Sequence, residues 1–259
     1  MALKRLPRRL GHGEEASLIE HLGELRTRLL IALAALALGF VVSFLFHAHL
    51  IEWLTRPLPD EKKIVTFGIT EPFFTAVKVS LYGAFALALP VLLYQLWSFL
   101  APAMEQHVQR VVSTFVLIAT ALFAGGLAFA YFVVLPRAVT FLVNFDDELF
   151  NTQIRASYYF SFVSLALLGM ALVFEMPIFI LALVRLRVLT AQRLRSNRRM
   201  GIFLVVLVAI LLPTVDPVSL VFETVPLLIL FEASIWLSAF MERRWEAAAL
   251  ADDLATGEL

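Results

Sequence analysis

The chain of 259 residues alternates long apolar runs with short polar segments. A helix needs about 20 mostly apolar residues to cross about 30 Å of hydrocarbon, because it rises about 1.5 Å per residue. Six runs are candidates for such helices, and they occupy residues 29–47, 73–97, 111–135, 158–184, 200–213 and 219–240. The pattern predicts an all-α integral membrane protein, with residues 1–259 forming a single polytopic membrane domain of six transmembrane helices.

The last two spans are predicted to be short. The fifth, residues 200–213, rises only about 21 Å at 1.5 Å per residue. The sixth contains Glu223, Pro226 and Glu232, so its uninterrupted apolar part is brief. A span shorter than the hydrocarbon is accommodated by local thinning of the bilayer or by association with another helix. We therefore expect this end of the molecule to be thin.

Composition supports the membrane class and argues against several others. The chain is 61% hydrophobic and 16% charged, whereas a soluble domain is about 45–50% apolar and about 25% charged. Its 21 basic and 21 acidic residues cancel, which gives no basic face for nucleic acid. The chain has no cysteine, its histidines lack metal-ligand spacing, and no nucleotide or catalytic motif is present. We expect no metal, no cofactor and no enzymatic activity.

The distribution of Lys and Arg predicts the orientation. Residues 1–28 and 185–199 contain six basic residues each, whereas the polar segments predicted on the opposite side contain few. Because loops rich in Lys and Arg stay in the cytoplasm, both termini, including the tail 241–259, are predicted to be cytoplasmic. The two longer loops on the other side contain apolar stretches, which we interpret as short helices on the outer surface.

The stretch "SLIEHLGELRTRLL" predicts an amphipathic helix over residues 17–28 that leads into the first span. Ser17 followed three positions later by Glu20 forms a capping box. Glu24 lies one turn before Arg28, and by spacing alone the simplest interpretation is a solvated ion pair that contributes a few tenths of a kcal/mol.

A single ionisable group, Glu175, lies in the middle of the fourth apolar run, "LLGMALVFEMPIFILALV". A charge at the bilayer centre costs about 2.5–3.5 kcal/mol on insertion scales, so such residues usually have a function. Its own helix offers no cation, which leaves a protonated acid, a water-filled concavity or a polar group from another polypeptide. Pro177 also predicts a kink here, because it leaves the Val173 carbonyl unpaired. The alternative is a neutral Glu175 hydrogen-bonded to Gln95, Ser113, Thr114 or Ser164.

Several stretches together resemble the TatC family of the twin-arginine protein translocase. They are "EHLGELRTRL" at 20–29, "EPFFTAVKVSL" at 71–81, "PVLLYQLWSFLAPAM" at 90–104, "FAYFVVLP" at 129–136, "SFVSLALLGMALVFEMP" at 161–177 and "LLPTVDPVS" at 211–219. The resemblance implies a curved, glove-like arrangement of six helices in the cytoplasmic membrane, with helices five and six short. It also implies a receptor for the twin-arginine signal peptides of folded cargo.

The same resemblance implies the partners and the energy source. Proteins of this family associate with one another in a receptor complex and work with small single-span TatA and TatB partners. They use the proton-motive force rather than ATP, which agrees with the lack of a nucleotide motif in this chain.

Candidate site residues follow from the resemblance, position by position. The residues expected to bind the signal peptide are Leu22, Glu24, Arg26, Phe99 and Glu105. The family usually has a second recognition acid nine residues after this Phe, where this chain has Val108. Glu105, one turn earlier, is the candidate replacement.

A second group is expected to contact partners within the membrane, and its members are Glu175, Asp216 and Glu223. Many relatives have Gln four residues after this Asp, where this chain has Leu220. Glu223, on the next turn, is the candidate for the polar contact with a TatA or TatB helix.

Two other functions remain open at this point. A proton-coupled secondary transporter would use Glu175 as its proton site, but such proteins usually contain inverted repeats, and none is evident here. An assembly scaffold would use its polar groups only to hold other spans.

Overall fold

The computed structural model describes residues 18–59, 62–100, 112–145, 149, 153–213 and 216–256. The helices are α1 (Leu18–Leu45), α2 (His47–Thr55), α3 (Glu71–Leu100), α4 (Val112–Phe129), α5 (Leu135–Asn144), α6 (Ala156–Val173), α7 (Met176–Arg185), α8 (Ala191–Ser196), α9 (Arg198–Leu211) and α10 (Pro217–Thr256). A π-helical segment (Ala130–Val134) joins α4 to α5, and two short strands are β1 (Ile64–Val65) and β2 (Ile154–Arg155).

The predicted all-α membrane fold is confirmed. Within the described residues, five helical stretches are long and apolar enough to cross a membrane, and they are Leu22–Leu45, Glu71–Phe99, Ser113–Asn144, Ala156–Arg185 and Pro217–Trp245. Helix α9 corresponds to the predicted fifth span, and its 14 residues are too few for a full crossing, as the sequence indicates.

The expectation of a short sixth span is wrong, because the sixth apolar run lies in a helical stretch, Pro217–Trp245, that is long enough to cross a membrane. Helix α10 has 40 residues and continues through Pro226. Glu223 and Glu232 interrupt the apolar sequence, but they do not interrupt the helix. It extends to Thr256, so most of the segment that we assigned to a tail is helical.

The first span and the predicted amphipathic helix form one continuous helix, α1. Leu22, Leu25 and Leu29 are exposed on it, and Ser17, the expected cap, lies outside the described residues. Helix α1 packs closely on α3. A Cβ atom at Gly39 would lie only 2.8 Å from the Ala84 carbonyl oxygen, so this crossing requires glycine.

The predicted kink in the fourth span is confirmed as a break between α6 and α7. Helix α6 ends at Val173 and α7 begins at Met176, with Pro177 in its first turn. Because Pro177 has no N–H, the hydrogen-bond ladder cannot continue through it. The Glu175 N–H instead donates to the Leu172 carbonyl at 3.1 Å, and Glu175 therefore occupies the bend itself.

The first of the two longer loops contains a short helix, α2, as the sequence predicts, whereas α5 in the second continues the third span through the π-helical segment. The two loops also contact each other. Strands β1 and β2 pair in parallel, with Ile64 opposite Ile154. Two tyrosine hydroxyls hold α2 next to these strands. Tyr131 donates to the Trp53 carbonyl and Tyr159 donates to the Leu54 carbonyl, each at 2.9 Å. These bonds join α2 to the π-helical segment and to α6.

Candidate functional site

The network around Glu24 connects the start of α1 to the end of α3. The Arg28 guanidinium donates twice to the Glu24 carboxylate, in one case from Nε to Oε1 at 3.0 Å. The same guanidinium reaches Oε1 of Gln95 at 3.4 Å and the Ser98 carbonyl oxygen at 3.1 Å. The ion pair expected from the spacing is therefore present, and it is also bonded to a second helix.

This network joins the candidate Glu24 to the end of α3, where a second candidate lies. Phe99, which is half-buried, directly follows Ser98 at the end of α3. Leu22 is 63% exposed, and Arg26 is exposed on α1. Candidate Glu105, together with Val108, lies outside the described residues.

The Glu24 carboxylate remains partly accessible at this surface. Its side chain is 33% exposed, and that of Arg28 is 20% exposed. A carboxylate accepts a guanidinium in a planar, bidentate geometry that an ammonium group cannot match. Because α3 holds Arg28 through two further acceptors, the position of Glu24 is fixed before any ligand arrives.

Glu175 is enclosed at the bend between α6 and α7, with a relative exposure of 1%. Neither carboxylate oxygen has a hydrogen-bond partner among the residues that the structure describes. The alternative of a neutral acid bonded to a neighbouring helix is therefore wrong for the four named side chains. Gln95 accepts from Arg28 instead, the Ser164 hydroxyl is also without a partner in the described part of the chain, and Ser113 and Thr114 are exposed.

Asp216, directly before α10, and Glu223, on α10, are both buried, with relative exposures of 3% and 1%. Asp216 caps the helix, because its Oδ1 accepts the Ser219 N–H at 2.7 Å. Glu223 lies one turn beyond Ser219, on the same face. Both acids therefore lie on the side of α10 that also carries the buried Leu227.

Among the described residues, no group of three His, Cys, Asp or Glu side chains is arranged to hold a metal ion.

Comparison with known proteins identifies the family. Residues 20–226 match the family described as "Sec-independent protein translocase protein (TatC)". The chain belongs to the TatC family. It is 37% identical to the TatCd protein of Bacillus subtilis strain 168 over 92% of this chain and 99% of the relative. It is 36% identical to TatC of Aquifex aeolicus strain VF5 over 88% of this chain and 96% of the relative.

A solved structure extends the family match to the fold. The chain is similar to the crystal structure of the twin-arginine translocase receptor TatC in DDM, with a TM-score of 0.76 and 36% identity. The alignment covers 85% of this chain and 99% of that structure. As a TatC-family member the chain is a multi-pass membrane protein and a component of a protein translocase, a family that is not a known class of enzyme.

One charged group of this TatC-family chain was not singled out by the sequence analysis. Glu71, at the start of α3, is 6% exposed. Its Oε1 accepts from Arg155 Nε at 2.9 Å and from the Ser157 N–H at 3.1 Å, and its Oε2 accepts from the Phe67 N–H at 2.9 Å. The bond to Glu71 raises the pKa of Arg155 above its ordinary value.

Glu71 therefore joins the loop before α3 to β2 and the start of α6. The available signal was the pair Glu-Pro at residues 71–72, since Pro is common in the first turn of a helix and acids are favoured there. The partners Arg155 and Ser157 lie more than 80 positions away, and no local pattern indicates them.

Proposed function

We propose that this chain is the receptor and core subunit of a twin-arginine translocase, located in the cytoplasmic membrane with both termini in the cytoplasm. In this proposal it binds twin-arginine signal peptides of folded cargo, with Leu22, Glu24, Arg26, Phe99 and Glu105 as the recognition residues. It then supports export with TatA-type and TatB-type single-span partners, driven by the proton-motive force. Family membership and the similarity to a translocase receptor structure support the proposal.

The observation that carries it is the Glu24 network. A partly exposed carboxylate, held by Arg28 against Gln95 and Ser98 of α3, offers an incoming arginine a fixed acceptor at the end of α3, where Phe99 follows Ser98. Arginine suits such a site better than lysine, because its planar guanidinium forms two parallel hydrogen bonds with a carboxylate and stacks on aromatic rings.

The buried acids provide a second line of support. Glu175, Asp216 and Glu223 are carboxylates enclosed in apolar helices, and intramembrane acids of this kind usually mark a functional site. In the proposal, polar groups of partner spans reach them when the translocase assembles. The alternative of a proton-coupled transporter has no support from the family or from the similar structure.

Photocrosslinking tests the recognition site directly. With a photoreactive residue at position 24 of the full chain, we expect an adduct with a twin-arginine signal peptide and a much weaker adduct with a matched twin-lysine peptide. The same residue at Leu38, exposed in the middle of α1, serves as the positional control. Equal adducts with both peptides at position 24 would contradict recognition of arginine at this site.

The proposed orientation predicts the labelling of single cysteines in this cysteine-free chain. A cysteine at Ile69, which is fully exposed in the loop before α3, should react with an impermeant thiol reagent in intact cells. One at Ser196, exposed at the end of α8, should react only after lysis, because the basic segment 185–199 is retained in the cytoplasm. Labelling of position 196 from outside would overturn the orientation.

A further inference from the structure

Trp97 is enclosed in the last turn of α3. Its side chain is 2% exposed, and its ring centroid lies 5.9 Å from that of Phe115 in α4 and 5.8 Å from that of Phe179 in α7. It belongs to a buried apolar cluster that also contains Leu93 of the same helix and Leu181 of α7. Trp97 therefore fixes the last turn of α3 between α4 and α7.

The residue after Trp97 is a point at which Arg28 attaches to α3. The Arg28 guanidinium donates to the Ser98 carbonyl oxygen at 3.1 Å and reaches Oε1 of Gln95 at 3.4 Å. Helix α3 has no basic residue in its own last turn. A cation is favoured there, because the final carbonyl groups lack partners within the helix and carry the negative end of its dipole. Arg28 of α1 supplies that cation, and the same guanidinium holds Glu24.

The place of Arg28 therefore depends on the backbone of the last turn. A carbonyl oxygen of the main chain cannot turn to follow its donor, as a side chain can, so the bond to Ser98 requires this turn to stay where it is. Trp97 is the neighbour of Ser98 in the chain and packs on two other helices. A looser last turn releases Arg28 and, through Arg28, the orientation of the Glu24 carboxylate.

Hydrogen bonding does not explain why this side chain is tryptophan. The indole Nε1 atom is buried and has no hydrogen-bond partner among the residues that the structure describes, which is unfavourable for a donor. The ring is tilted by 46° against Phe115 and by 38° against Phe179, at centroid separations where aromatic rings attract each other. Phenylalanine preserves part of this packing, whereas leucine preserves no ring contact.

We propose that Trp97 is a positioning residue for the recognition of arginine. It fixes the last turn of α3, the Ser98 carbonyl in that turn holds Arg28, and Arg28 orients Glu24. Because Trp97 is buried, it sets the selectivity of the site without touching the peptide. The inference rests on the proposed receptor function and adds to it a residue outside the recognition surface.

A positioning role and a purely structural role predict different selectivity. Two parallel hydrogen bonds between a guanidinium and a carboxylate require a fixed orientation, whereas an ammonium group acts as a point charge and tolerates a change of orientation. Loss of positioning therefore weakens the binding of arginine more than that of lysine. General damage to the fold weakens both equally.

The test is titration of the purified full chain with labelled twin-arginine and matched twin-lysine signal peptides. Trp97→Leu should lower the affinity for the twin-arginine peptide by about five- to tenfold and that for the twin-lysine peptide by less than about twofold. Trp97→Phe should keep most of the affinity and the selectivity. Phe179→Leu, which removes one ring contact and leaves Trp97 in place, should give a selective loss of about two- to threefold, and it decides the question if Trp97→Leu does not fold.

A double-mutant cycle tests whether Trp97 acts through Glu24. In the Glu24→Ala background, Trp97→Leu should cause no further loss of twin-arginine affinity, because the group that it positions is gone. Additive losses would overturn the proposal. Trp53→Leu is the matched control, since Trp53 of α2 stacks on Tyr131 at a centroid distance of 3.9 Å away from this network, and it should leave both affinities unchanged.

The remaining outcomes separate this inference from the proposed function. If the unmodified chain prefers the twin-arginine peptide and Trp97→Leu retains that preference, Trp97 only fills the core and this inference alone is wrong. Equal losses for both peptides in Trp97→Leu or in Phe179→Leu would also overturn it. If the unmodified chain binds both peptides equally, the proposed recognition of arginine is wrong, and the inference is wrong with it.

Discussion

Replacement of Glu24 by alanine is expected to lower the affinity for a twin-arginine signal peptide by about ten- to a hundredfold. A hydrogen bond to a charged group contributes roughly 1.5–3 kcal/mol, and each 1.4 kcal/mol is a tenfold change in affinity. If Glu24 only supported its own helix through Arg28, its contribution would be about 0.3–0.5 kcal/mol and the substitution would have little effect. Titration of the purified full chain with labelled signal peptide measures the difference.

The chain provides a matched control for this substitution. Glu52 on α2 and Arg56 just after it form an ion pair with the same spacing, with side chains that are 72% and 65% exposed. Glu52→Ala should leave signal-peptide affinity unchanged. A twin-lysine peptide should lose little affinity in Glu24→Ala, because it never formed the bidentate contact. Equal losses for both peptides would show that Glu24 supports the helix rather than recognising arginine.

The sequence identifies Glu24 but not the way in which it is held. Motif and spacing place Glu24 one turn from Arg28 and predict their ion pair, which the structure contains. The bonds from Arg28 to Gln95 and Ser98 join residues 67 and 70 positions apart. Such contacts depend on how α1 packs on α3, and no periodicity within either helix reports that packing.

The same distinction explains the rest of the fold. Hydrophobic runs locate the spans because burial in lipid requires long apolar helices, and Pro177 locates the break because proline lacks a backbone donor. The Glu71–Arg155 pair joins segments that are 84 positions apart in the chain. Local chemistry therefore predicts where helices begin, bend and end, whereas the sites between helices require the structure.

Replacement of Glu175 by leucine is expected to stabilise the isolated chain while reducing export by about tenfold or more. A buried polar group without a partner costs about 1–3 kcal/mol, and neither oxygen of Glu175 has a partner among the described residues. A leucine of similar size removes that cost. Export should fall because the acid can no longer bond to a polar group of a partner span, a contact worth roughly 1.5–3 kcal/mol.

Two measurements on the same variants decide between a functional and a structural Glu175. Thermal unfolding of the purified chain should show Glu175→Leu melting above the unmodified protein. Glu175→Gln should fold normally and export better than Glu175→Leu, because its amide still bonds to a partner. If Glu175→Leu melts at a lower temperature than the unmodified chain, Glu175 stabilises the bend between α6 and α7. An acid that is kept in an apolar bend at a cost in stability is expected to be there for what it binds. Unchanged export in a well-folded Glu175→Leu chain would contradict this and would remove Glu175 from the translocation site.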